Sequence, residues 1–146
     1  LDPSAPMVTR NPQRCRVAGY GEHLPFADGA FDTVFSAYVF RNLESIPGTL
    51  AEIHRVLRPG GAAAVVDLSR PAAAWQRALH RLGTAIVLPV VGTLFGSPRE
   101  YWYLHRSLDK LPPPQVLFGE GPLALERLWR MGPFGFVYGV VLRKAK

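Results

Sequence analysis

The sequence holds a single cysteine, Cys15, so no disulfide can close within it and no thiolate cluster can hold a metal. A reducing compartment, the cytoplasm, is the expectation that follows. Four histidines, His23, His54, His80 and His105, stand at spacings that match no zinc pattern, so they read as core or solvated side chains and no metal is expected. No run of about eighteen apolar residues is present, and none of the chain is expected to cross a bilayer. Residues 84–95 are the most apolar, but Pro89, Gly92 and Thr93 interrupt them, which suits burial or contact with a membrane surface better than a span. Acidic residues are the scarcer charge. Against 17 Lys and Arg there are 11 Asp and Glu, a net charge of +6 that favours anionic partners. The basic residues of the C-terminal half are scattered among apolar and aromatic positions, which excludes a dedicated nucleic-acid arm and leaves an anionic membrane surface. The sequence shows no signal peptide and opens on Leu1, and it reads as trimmed from something longer.

What is present suits one globular core. With 146 residues, 48% apolar and 19% charged, the chain is long enough for one domain and too short for two, so residues 1–146 are read as a single, partial domain. Residues 14–18 fit a short strand before the turn at Gly19-Tyr20-Gly21. Residues 31–37 read as a buried strand, since Val34, Phe35 and Ala37 form the apolar run expected where helices cover both faces of a parallel sheet. A helix then starts at Ser45 as N-cap, carries Pro47 in its first turn and places Leu50, Ile53, Val56 and Leu57 on one face; Pro59-Gly60-Gly61 is its stop. Residues 62–68 are small and β-branched, as in a central strand. Two helices follow, at 72–87 and 98–110, separated by the Pro and Gly of residues 88–96. Residues 123–130 and 136–143, joined by Gly132-Pro133-Phe134-Gly135, read as an antiparallel hairpin.

The fold class is therefore α/β, a mostly parallel sheet ending in an antiparallel hairpin. In open sheets of this class, ligands sit beyond the carboxyl ends of the strands. The residues just past those ends are Asp2, the group from Tyr20 through Gly21 to Glu22, Ser36 with Arg41 and Asn42, and Asp67 with Ser69.

Those residues belong to a recognisable series. Glu22-His23-Leu24-Pro25-Phe26 leads into Asp28-Gly29 and Phe31-Asp32-Thr33-Val34. Arg41-Asn42 follows, then the run from Glu52 to Gly61, and Asp67-Leu68-Ser69-Arg70-Pro71. In this order they resemble class I S-adenosylmethionine-dependent methyltransferases, and the Arg-Asn pair and the Ser-Arg-Pro end point to the ubiquinone/menaquinone C-methyltransferase family. Leu88-Pro89, Gly92 and Tyr101-Trp102-Tyr103-Leu104-His105-Arg106-Ser107 resemble that family's substrate-side insertion, here residues 72–114.

The resemblance implies a Rossmann-like sheet, S-adenosylmethionine as cofactor and a prenylated quinol or similar aromatic ring as methyl acceptor. It assigns Asp2 to the ribose hydroxyls, and Tyr20, Gly21, Glu22 and Ser36 to the cofactor. Arg41 would stabilise the acceptor's oxyanion or help a water take its proton, and Asn42 would orient that group. Tyr101 and Tyr103 would wall the ring. Plainer readings of the same residues are an Asx turn at Asp2, a solvated loop pair at Arg41 and Asn42, and an ordinary amphipathic helix face at Tyr101, Trp102 and Tyr103.

Three features depart from the pattern. The family's glycine-rich loop and first strand are not in the sequence, which leaves the fourth strand with an open edge and implies a complementing N-terminal segment or a homo-oligomer. Tyr20 stands where the family carries an acid, and the helix before the sixth strand is reduced to the Pro- and Gly-containing residues 111–122. A remnant or partner subunit without activity, or a methyltransferase acting on another small molecule, are the alternative functions.

Overall fold

The computed structural model describes every residue except Arg14, Ala72, Ser97 and Lys110, together with the side chains of Pro98, Glu100, Tyr101 and Leu104 left aside. Its elements run α1 (Ala5–Arg10), β1 (Phe31–Ala37), a 3-10 turn (Phe40–Asn42), α2 (Ile46–Val56), β2 (Leu57–Leu68), α3 (Ala74–Leu94), α4 (Pro98–Ser107), α5 (Pro114–Leu117), β3 (Ala124–Met131), a second 3-10 turn (Pro133–Gly135) and β4 (Val137–Arg143). The strands form one sheet in the order β1-β2-β4-β3. β1 lies parallel to β2, and β4 runs antiparallel to both β2 and β3. Three strands therefore point one way and β4 alone is reversed, as the hairpin reading requires.

α2 forms where the sequence placed it. Ser45 Oγ accepts the Gly48 N–H, Pro47 occupies the first turn, and Leu50, Ile53 and Val56 are buried on one face. That face meets the inward row of β2, where Ala63, Val65 and Asp67 are buried, and the row of β4 opposite it, Tyr138, Val140 and Leu142. Phe40 and Phe118 close this core, their ring centroids 5.4 Å apart.

Four sequence expectations change. Residues 15–18 form no strand, and Arg14 lies outside the described residues; the segment contributes one parallel bridge between Asp2 and Ala18, because Pro3 and the helix at Ala5 turn the chain away at once. α2 ends at Val56 rather than at Pro59-Gly60-Gly61, which lies inside β2 as a bulge: between the pairs Phe31–Leu57 and Thr33–Ala62, the single residue Asp32 of β1 faces four of β2, Arg58, Pro59, Gly60 and Gly61. Gly60 takes φ +76°, and a Cβ on Gly61 would stand 2.9 Å from the Arg58 carbonyl, so both glycines are required there. The break at residues 88–96 does not occur. α3 runs 21 residues through Pro89 and stops at Leu94, because its packing along α4 outweighs the one hydrogen bond that Pro89 removes. Finally, β1 is not covered on both faces: Phe35 is 68% exposed, and the described helices cover only the face opposite it.

Candidate active site

β1 ends at Ala37 in a sharp turn. Tyr38 adopts φ +60°, a left-handed conformation uncommon for a residue with a Cβ, and its N–H is bonded to the Val66 carbonyl at 2.8 Å. This turn delivers Phe40 into the core and sets Arg41 and Asn42 on the 3-10 turn at the carboxyl end of the sheet.

Two cavities reach this end, the larger of them running along β1 from Phe31 to Ala37. The larger, about 800 Å³, is lined by Asp2, Tyr20, Gly21, Glu22 and Ser36 among others, which brings together all five residues that the sequence assigned to the cofactor. The second, about 610 Å³, is lined by Arg41, Asn42 and Tyr103 together with Leu43, Leu111 and Leu117. Phe40, Asn42, Leu43 and Glu44 border both, so the two cavities share a wall. Across it Tyr103 Oη donates to Asn42 Oδ1 at 2.9 Å. The side chain of Tyr101 lies outside the described residues.

The individual contacts refine the assignments. Asp2 Oδ1 accepts the Ser4 N–H at 2.7 Å, the Asx turn that the sequence offered as the bland alternative, while the residue still faces the larger cavity. Gly21 is needed where it stands, since a Cβ would meet Leu43 Cδ2 at 3.1 Å and Thr49 Cγ2 at 3.2 Å. Glu22 Oε1 accepts the N–H groups of Glu44 and Ser45, at 2.9 and 3.3 Å, and so anchors the start of α2 as well as lining the cavity. Burial works to raise the Glu22 carboxyl's pKa, but these backbone donors outweigh it and hold the group below its ordinary value.

The loop carrying Glu22 is held against α2 by one ion-pair cluster. Glu52 Oε2 accepts the Leu24 N–H at 2.8 Å, while Arg55 donates to Glu52, to the carbonyls of Leu24 and Phe26, and to Asp28. The Arg55 hydrogen bond holds the Glu52 carboxyl down at about 2. Glu52 and Arg55 are thus what the sequence motif around them is for structurally: they fix one wall of the larger cavity.

A second cluster, outside the lining of both cavities, ties the helices to the sheet. Arg70, 7% exposed at its side chain, reaches both oxygens of Asp109 at 2.9 and 3.2 Å, the Thr84 hydroxyl at 2.8 Å and the His105 carbonyl at 3.0 Å, joining the end of β2 to α3 and α4. Burial, with the Arg70 charge beside them, lowers the pKa of both His80 and His105, so neutral imidazoles line this joint. Among the described residues no group of three His, Cys, Asp or Glu could hold a metal ion.

With this geometry in place, comparison with known proteins decides the family. The ubiE/COQ5 methyltransferase family matches residues 13–119. The chain belongs to that family. A 2-phytyl-1,4-naphtoquinone methyltransferase of Nostoc punctiforme is 43% identical over 91 residues, covering 62% of this chain and 39% of its own. A ubiquinone/menaquinone biosynthesis C-methyltransferase of Geotalea uraniireducens is 34% identical over 121 residues, covering 80% of this chain and 52% of its own. Among solved structures, a Haloferax volcanii complex of the Trm112 methyltransferase activator with a methyltransferase superposes with TM-score 0.68 at 16% identity, over 99% of this chain and 70% of that one, which shows a shared fold. The ubiE/COQ5 chain described here spans about half or less of the length of the curated relatives it matches.

Sequence reasoning missed two features of the site. The left-handed Tyr38 carries no local signal, since neither Gly nor Asn marks it. The partner of Arg41, Asp67, was visible as a strand-end residue, but its pairing across 26 positions depends on the register of β1 and β2.

Proposed function

We propose that this chain forms the acceptor-side part of an S-adenosylmethionine-dependent methyltransferase whose acceptor is a prenylated quinol or similar aromatic ring. The observation that carries the reading is the shared wall: the cofactor-side and acceptor-side residues line two adjoining cavities, with Asn42 bordering both. The names of the relatives, which are quinone methyltransferases, support the same acceptor class. In this reading residues 1–146 are one partial domain and residues 72–114 its acceptor-side insertion.

The larger cavity suits the cofactor in size, lying within the range of roughly 300–1,000 Å³ usual for small-molecule sites. When bound, S-adenosylmethionine supplies the electrophilic methyl. Asp2 has one oxygen engaged by Ser4 and its other oxygen left for a ribose hydroxyl, a charge-assisted contact. Tyr20, exposed on the cavity rim, offers a face for a purine where it cannot offer a carboxylate. Ser36 and Gly21 line the interior.

On the acceptor side, Arg41 stabilises the oxygen of the ring as it loses its proton, and Asn42, held by Tyr103, orients it. Leu43, Leu111 and Leu117 exclude water from the ring. Positioning of the acceptor against the methyl is the main contribution of these residues.

Two further elements belong to this reading. β1 is an edge of the sheet, and a complementing strand from an N-terminal segment would pair with it and complete the methionine end of the larger cavity; a second copy of the chain is the alternative source. The outward face of α3 carries Trp75, Leu79, Leu82, Ile86 and Val90, all exposed, on a helix with no acidic residue, and we lay this face on an anionic membrane where a prenylated acceptor resides. No helix among the described residues is long and apolar enough to cross that membrane.

The test is methyl transfer from radiolabelled cofactor to a demethylated quinol, using the protein extended ahead of Leu1 to the length of its relatives. Transfer to the ring is expected, reduced about a hundredfold or more by Arg41→Ala. Absence of transfer to any quinol overturns the reading; a stable complex through the β1 edge without transfer would instead establish a non-catalytic partner subunit.

A further inference from the structure

The end of β2 holds a charge for which the functional reading has no use so far. Asp67 is fully buried. Its Oδ1 accepts Arg41 Nη1 at 2.9 Å and its following backbone neighbour Leu68 N at 2.7 Å, and its Oδ2 has no hydrogen-bond partner among the described residues. Asp67 lies directly opposite Tyr138 on β4, and Tyr138 directly opposite Arg130 on β3, so the three side chains form one row on the inward face of the sheet. The Tyr138 hydroxyl and Arg130 Nε and Nη2 are also buried without partners. Burial, reinforced by the Asp67 charge, pushes the Tyr138 phenol well above its ordinary range, so it stays neutral.

An ionised carboxylate in such a place costs several kcal/mol unless a cation answers it. The one guanidinium bonded to Asp67 among the described residues is Arg41, and that is also the only hydrogen bond Arg41 makes among them. Asp67 does not itself reach either cavity, whereas Arg41 lines the second. The arrangement fixes one corner of a five-donor planar group from beneath, with the guanidinium 6.0 Å from the Tyr38 ring centroid, and its remaining donors have no hydrogen-bond partner among the described residues.

We infer that Asp67 is a positioning residue: it acts through Arg41, holding the guanidinium at the wall of the acceptor cavity in the orientation that the acceptor's oxygen requires. The inference rests on the proposed function, because it gives Arg41 the role described there. It adds a residue at the end of the neighbouring strand, outside the lining of both cavities, whose charge, rather than its shape, sets the geometry. Asn at this position has the same shape and keeps an acceptor for Arg41, but without the charge it does not hold the guanidinium against competition from water.

The test is a double-mutant cycle on methyl transfer in the protein extended ahead of Leu1, with Asp67→Asn, Arg41→Lys and the pair together. Asp67→Asn should lower kcat by about ten- to a hundredfold, the scale of a hydrogen bond between charged groups, while the affinity for S-adenosylmethionine measured by titration stays at the wild-type value. The double variant should be no more than about threefold worse than the poorer single one, since each removes the same interaction. Multiplicative losses, or an unchanged kcat in Asp67→Asn, would show that Asp67 does not work through Arg41 and overturn the inference. If Asp67→Asn does not fold, Asp67→Glu decides: a lowered kcat at a wild-type melting temperature supports the inference, and an unchanged kcat overturns it. A wild-type protein that transfers no methyl group to a quinol sinks the functional reading itself, and the inference with it.

Discussion

At the scale of single residues, the side-chain contacts around the larger cavity hold its loops in place. Glu52 is the clearest case. Its folded pKa is lowered from 4.5 to about 2 by the Arg55 hydrogen bond, so its contribution to stability is fully present above pH 4.5 and is lost as the pH falls through 2. Glu52→Gln should therefore destabilise the chain by about 1–3 kcal/mol at neutral pH, and the gap between variant and wild type should close on acidification across that window, as read by denaturant melts at a series of pH values. A gap that stays constant with pH would mean the carboxylate charge is not what staples the loop. Sequence alone gave the motif containing Glu52 and Arg55 but not this use of it. Their partners, the backbone groups of Leu24 and Phe26, lie 28 and 29 residues away and are brought near only by the docking of the loop on α2. The same holds for Asp67, whose neighbours on the sheet become visible only once the register of three strands is known. Asp2, by contrast, forms the Asx turn that the sequence offered as one reading, through one carboxylate oxygen; the ribose contact proposed for it would use the other.

At the scale of elements, what was legible is what is decided locally. The N-cap of α2, its buried face and the β3–β4 hairpin all depend on residues close in sequence, and all three form where the pattern placed them. The misreadings fall where tertiary contacts override a local rule. Pro89 is a sound reason to end a helix, yet α3 continues through it because α4 packs alongside. Pro59-Gly60-Gly61 is an equally sound helix stop, yet the helix ends earlier and the glycines serve a bulge in β2. The long α3 has a consequence of its own, since only an uninterrupted helix aligns Trp75, Leu79, Leu82, Ile86 and Val90 into one apolar stripe about 22 Å long. Cosedimentation with phosphatidylglycerol vesicles should show binding of the chain that weakens with salt and falls about tenfold or more in Leu82→Glu/Ile86→Glu, with none on phosphatidylcholine. Undiminished binding by the double variant would move the membrane contact elsewhere, and self-association in place of vesicle binding would make the stripe an interface between copies.

At the scale of the whole molecule, membership of the ubiE/COQ5 family and the order β1-β2-β4-β3 fit together: the carboxyl ends of β1 and β2 collect the site, and the reversed β4 places Tyr138 beneath it. The α/β class and the antiparallel ending were legible from the succession of patterns. The half-open face over Phe35 was not, because an apolar run says that a strand is meant to be covered and not what covers it. Because β1 is also the open edge of the sheet and lines the larger cavity, the proposed assignment of that cavity to the cofactor is the claim most in need of a direct test. The most direct measurement is calorimetric titration of S-adenosylmethionine into the protein extended ahead of Leu1, alongside Asp2→Ala and Tyr103→Phe. The expected result is saturable one-site binding, weakened about tenfold or more by Asp2→Ala through loss of the charge-assisted ribose contact and unaffected by Tyr103→Phe, which lies across the shared wall. No saturable binding, or binding indifferent to Asp2, would contradict the assignment of the larger cavity to the cofactor.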